Sequence, residues 1–178
     1  SEACETHFPS HENRIGSVFH HGLSELMEHP RDVVRLFDVL MSIEPNLRGE
    51  VNLGDLMGLA ALMTKAPNVF SLLRSTPQAF VGRRPGTQDS MKKPEEVIDR
   101  FSSDRESAIN ACGNPAAVQE LVHWLFPKTA KADKAFTFDR VVFTEGHLGH
   151  PDRLSVALQM SAGRGDVSLV KVRRFVFQ

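Results

Sequence analysis

Cys4, His7, His11, His20 and His21 form the densest grouping of zinc-binding residue types in the chain. Cys4 and His7, three positions apart, have the spacing of half a tetrahedral site. No second compact pair follows, and Cys112 is remote in sequence. Histidines on a polar arm are the simpler account, and no bound metal is expected. A second grouping, Glu145, His147, His150 and Asp152, lies in a segment broken by Gly146, Gly149 and Pro151. Such a set could supply a general base. No nucleophile or phosphate-binding glycine loop accompanies it, so a solvated loop is the default reading.

Phe19-His20-His21-Gly22-Leu23-Ser24 resembles the His-Gly-Thr element with which some ADP-ribosyltransferases hold NAD. Arg74-Ser75-Thr76-Pro77 and Phe143-Thr144-Glu145 then fall in the order of that family's Ser-Thr-Ser strand and catalytic glutamate. The resemblance implies that His21 would orient the nicotinamide ribose and Glu145 would stabilise the oxocarbenium-like transition state. Leu23 stands where a hydroxyl residue belongs, and Pro77 interrupts the second element. The family also needs more strand than this sequence offers, so a helix bearing two histidines is preferred. Arg164-Gly165-Asp166 matches the integrin-recognition tripeptide, although Gly with Asp is also what a tight turn uses.

These residues must be positioned by what is mainly a helical chain. At 178 residues it has the length of one domain, long enough to bury about two thirds of its unfolded surface. A net charge of −1 with no basic block gives no indication of nucleic acid binding. No apolar run reaches the ~20 residues of a membrane span. A disulfide framework would need more than two cysteines, and a cytoplasmic location is expected. Ser1 at one end and Gln178 at the other would suit excision by a viral protease cutting between Gln and Ser. A choice of boundaries explains both equally well.

Residues 1–13 read as a polar arm. Apolar residues at helical spacing predict a helix over 14–28. Pro30 opens the next helix, and Val33, Val34, Leu36, Phe37, Val39, Leu40 and Met41 make it apolar on more than one face, hence central. Ile43-Glu44-Pro45 is expected to break it. Asn52 caps a helix carrying Leu53, Leu56, Met57, Leu59, Ala60 and Met63. A short helix from Pro67 completes a first half, 14–81. After an exposed connector, 82–93, a helix from Pro94 to beyond Ile109 and another from Pro115 to Phe126 begin the second half, 94–150. Thr137 can cap a further segment there. Leu154–Met160 and Val167–Phe177 favour β residues and predict a hairpin in the tail, 151–178.

The two halves echo each other. Pro30, Val33, Leu36, Phe37, Leu40, Val51, Asn52, Leu53 and Leu56 recur as Pro115, Val118, Leu121, Val122, Leu125, Phe136, Thr137, Phe138 and Val141, each displaced by 85 residues. The order of helix, polar loop, one apolar residue, cap and helix resembles the EF-hand. Laid on Glu44 to Asp55, that pattern puts Gly49 at the tight turn, Val51 at the hydrophobic position and Asp55 at the closing acid. The resemblance implies that Val51 and Phe136 would pair through a short β bridge. Arg48 occupies a liganding position of the first loop, while Lys131, Lys134 and Arg140 occupy the second, and these cations would repel Ca²⁺. The scaffold implied is therefore one without metal.

The expected fold is mainly α: two packed helix–loop–helix units with a short C-terminal β-hairpin. The expected function is a non-enzymatic module that binds another protein, or itself, through an apolar helical surface at Leu56, Met57, Met63 and Trp124, with no cofactor. The alternatives are an NAD-dependent ADP-ribosyltransferase-like enzyme and a viral polyprotein product acting in host binding or assembly.

Overall fold

In a computed structural model of the chain, residues 11–83, 93–130 and 144–159 are described. They form helices α1 (His11–Val18), α2 (Pro30–Leu47), α3 (Leu53–Lys65), α4 (Pro67–Ser75) and α5 (Gln78–Val81). Helices α6 (Pro94–Arg100), α7 (Ser102–Asn110), α8 (Pro115–Leu125) and α9 (Pro151–Leu158) follow. Proline opens α2, α4, α6, α8 and α9, where its missing N–H would have had no intrahelical partner. Side chains complete several starts. Asn52 Oδ1 accepts from Gly54 N at 3.0 Å and Asn114 Oδ1 from Ala117 N at 3.3 Å, while the Asp32 carboxylate accepts from His29 N at 3.1 Å.

The central helix is α3. Gly54, Asp55, Leu56, Gly58, Leu59, Ala60, Ala61 and Leu62 are all buried, which requires cover on every side. That cover comes from α1, α2, α4 and α8. Small residues make the approach possible: a Cβ added at Gly54 would stand 2.9 Å from the backbone of Arg14. Pro67 denies Ala66 the α conformation, so the chain turns at φ −134°, ψ 58° and α4 leaves α3 at 114°. Farther along, Arg105 of α7 is buried and donates through Nη1 to Ala79 O and Ile98 O, both at 2.6 Å. One guanidinium thus pins α5 and α6 onto α7. Phe80 and Phe126 close this end of the core, ring centroids 5.2 Å apart.

Several expectations are corrected. Helix α2 is peripheral, not central: Leu36, Leu40, Ile43 and Leu47 form one buried row with Val39 half-buried beside it, while Val33, Val34, Phe37 and Met41 face outward. It also continues through Pro45 to Leu47. The carbonyl that Pro45 leaves unbonded belongs to Met41, on the exposed face, where water can serve it. The first helix begins at His11 instead of Arg14, and its continuation to Glu28 is interrupted by a π turn over Phe19–Leu23. The expected helix from Pro94 breaks at Phe101 into α6 and α7.

The first arm of the expected hairpin is helical instead. His150 Nδ1 accepts from Asp152 N at 3.3 Å, Pro151 fixes the first turn, and Arg153, Leu154, Val156 and Ala157 are buried. A strong local start signal outweighs the β preference of Leu154 and Val156. The second arm, 167–177, lies outside the described residues, as do the arm 1–10 and the segment 136–143 with its cap Thr137. Among the described residues the only β pairing is an isolated bridge between Arg48 and Val51.

Leu56 is 1% exposed and fully enclosed. Leu56→Ala is therefore expected to lower unfolding free energy by about 2–5 kcal/mol through lost burial and a residual cavity. Urea denaturation measures this, and a loss below ~1 kcal/mol would contradict its place in the core.

Candidate functional site

Asp55 is the polar centre of the molecule. It sits in the first turn of α3, where a carboxylate is favoured by the helix dipole, and its side chain has no exposure. It accepts hydrogen bonds from Arg14 Nε of α1 and from Leu148 N at 2.7 Å. Asn52 ties the same loop down: its N–H donates to Gly146 O at 2.8 Å and its Nδ2 to Glu145 O at 3.4 Å. Farther along, the buried Arg153 of α9 donates through Nη1 to Glu50 Oε2 at 3.1 Å. The segment 144–159 is thus fastened to residues 50–55 by a buried ion pair, a buried carboxylate and the backbone and side-chain N–H groups of Asn52.

From Asp55 the network runs outward. The Arg14 guanidinium lies 4.2 Å from the centroid of the Trp124 ring, a cation–π contact. Trp124 Nε1 donates to Ser17 Oγ at 2.8 Å. The His21 ring stacks on Trp124 with centroids 6.4 Å apart, and His21 Nδ1 stands 3.1 Å from Glu120 Oε1. His21, Ala116, Gln119, Glu120, His123 and Trp124 together line a shallow open depression. It is reached by the π turn, in which His21 (φ −102°, ψ 63°) and Gly22 (φ 91°) leave helical geometry and present the imidazole to α8.

His147 lies at the inner end of this network. Its Nε2 is buried with no hydrogen-bond partner among the described residues. Burial, with the positive charge of Arg14, holds its pKa below the usual histidine value, opposed by the charges of Asp55 and Glu145. His123 is lowered in the same direction by its partial burial and by the charge of Arg105. Both must gain a proton to unfold in acid. The unfolded chain then binds more protons, so stability is complete above the unfolded value near 6.5 and falls as pH drops below it. Urea titrations at pH 7.5 and 5.5, values chosen roughly either side of that pKa, should show lower stability at the acid pH. His147→Gln should flatten part of that slope, and an unchanged slope would remove His147 from the account.

The residues singled out from the sequence are distributed as follows. His21 and Trp124 meet, whereas Glu145 is tied through its backbone carbonyl, which accepts from Asn52 Nδ2. His20 is exposed on the π turn, its ring edge-on to Phe19. Cys4 and His7 lie outside the described residues, as does Arg164-Gly165-Asp166. Among the described residues no three His, Cys, Asp or Glu side chains converge in a way that could hold a metal. Cys112 donates its S–H to Ala108 O at 3.3 Å, and burial raises its pKa, which makes it a poor nucleophile. Met57 and Met63 are half-buried against the core, and Leu56 is inside it.

Among the described residues, the exposed large apolar side chains other than Phe19 lie on α2. Val33, Val34, Phe37 and Met41 are 39%, 59%, 47% and 71% exposed, and their spacing places them on one stripe of the helix. The sequence showed these residues as apolar. It did not show their direction, because a helix with two apolar faces can be central or can carry a free face. The small residues Gly54, Gly58, Ala60 and Ala61 of α3 were the available signal, since they mark the helix that others approach closely. Comparisons with family models, with curated proteins and with solved structures find no match to this chain.

Proposed function

We propose that this chain is a non-enzymatic protein-interaction module whose working surface is the α2 stripe of Val33, Val34, Phe37 and Met41. The exposure of that stripe carries the reading. Single apolar side chains on a surface are ordinary, whereas four in one row on a helix that already buries a full face against the core form a patch. Helix α2 is well suited to present it. Its buried row Leu36, Leu40, Ile43 and Leu47 fixes its orientation, and Lys65 Nζ holds Asp32 at its first turn at 3.0 Å. A rigid helix with an apolar stripe is the form in which helical surfaces commonly engage a partner groove or a second helix.

A photo-crosslinking residue at position 37 tests the assignment against the same probe at Arg100, an exposed polar position on α6. Intermolecular adducts are expected from position 37 and should disappear when Val34→Glu and Met41→Glu are added. Equal adducts from both positions would sink the proposal.

A further inference from the structure

A second surface, independent of the α2 stripe, has a different chemistry. Between the start of α2 and the junction of α7 with α8 lies a cleft of about 370 Å³, lined by Leu26, Glu28, Arg31, Asp32, Arg35, Thr64, Lys65, Gly113 and Asn114. Of its five charged groups, Lys65 and Asp32 neutralise each other at 3.0 Å, and the lysine holds the Asp32 carboxyl below its ordinary pKa. Arg31 and Arg35 remain, faced by the single carboxylate of Glu28.

These two arginines are four residues apart, so they rise from the same face of α2, where like charges repel. Neither makes a hydrogen bond or ion pair with any described residue. Across the cleft, Asn114 has its Oδ1 engaged by Ala117 N, which leaves its amide N–H groups as donors untaken within the described residues. Arg31, Arg35 and Asn114 therefore line one polar hollow in which Glu28 is the one carboxylate not already paired with Lys65.

We infer that this cleft binds a small phosphate-bearing molecule, with Arg31 and Arg35 gripping the phosphate and Asn114 donating from the opposite wall. A carboxylate has two oxygens and one fork satisfies it. A phosphate dianion has a third oxygen and a second charge, which a pair of forks matches.

Inorganic phosphate at low ionic strength, added to the intact chain and followed by amide chemical shifts, is the probe. The expected result is saturable binding in the millimolar range or tighter, with the largest shifts at Gly113, Asn114 and the first two turns of α2. Arg31→Gln with Arg35→Gln should weaken it on the order of tenfold or more, as expected for loss of charge-assisted hydrogen bonds. Both side chains are exposed, so an unchanged melting temperature is expected to confirm that the variant folds. A linear, unsaturating response, shifts spread over the surface, or equal affinity in the double variant would each overturn the assignment.

Discussion

Asp55→Ala is expected to reduce unfolding free energy by about 3–5 kcal/mol, the range for removing one partner of a buried charge pair. Two groups are stranded at once. The Arg14 guanidinium keeps its stacking on Trp124 but loses its counter-charge, and the N–H of Leu148, a residue with no exposure, loses its acceptor. The loss should therefore be felt at both ends, in the docking of α1 and in the docking of the 144–150 loop. Asp55→Asn, which keeps an acceptor for Leu148 but not the charge, should cost less, about 1–3 kcal/mol. Urea denaturation distinguishes them, and a loss below ~1 kcal/mol for the alanine variant would mean that the carboxylate is not the fastening described.

The second large effect is expected at Gly22. Its φ of +91° is a conformation that L side chains rarely adopt. A Cβ built there would overlap the carbonyl oxygen of Ala117 and stand 3.2 Å from Leu121 N, and neither belongs to a side chain that can turn away. Gly22→Ala should cost about 2–4 kcal/mol from strain and overlap together. It should also push the π turn off α8 and part His21 from Trp124. Since Trp124 is the one tryptophan of the chain, its fluorescence reads that movement directly. Gly16→Ala is the control: no atom lies within 4 Å of the added Cβ, so it should be neutral or stabilising by up to about 1 kcal/mol. Equal effects at the two glycines would refute the close contact.

The contrast between Gly22 and Gly16 shows what was legible in the sequence. Both read as glycines inside one helical pattern, and only the position of α8 separates them. Helix starts were legible because they are local: Pro30, Asn52, Pro67, Pro94 and Asn114-Pro115 each act within one turn of themselves. Where the expectation failed, a distant partner or a competing local rule decided. Pro45 is tolerated because its unbonded carbonyl reaches solvent, and Leu154 and Val156 are helical because His150, Pro151 and Asp152 start a helix before them.

The site divides in the same way. His21, Trp124 and Glu145 stand out by residue type, while Asp55 stands out only as the closing acid of an EF-hand-like loop. The linkage of Trp124 to Asp55 through Arg14 was not legible, because Arg14 is 41 residues from Asp55 and looks like any solvated arginine. The direction of Val33, Val34, Phe37 and Met41 was equally hidden, since it depends on which side of α2 the central helix occupies.

On the proposed function, the exposed apolar stripe of α2 serves association and not folding. Val34→Glu, Phe37→Glu and Met41→Glu in one chain test it, with thermal unfolding and light-scattering mass measured on the same sample across a range of concentrations. The account predicts a melting temperature within about 3 °C of the parent, since exposed positions contribute little to stability. It also predicts that the parent associates, with itself or with a partner, and that the variant does not. Collapse of the fold, or association that survives three added charges, would contradict it.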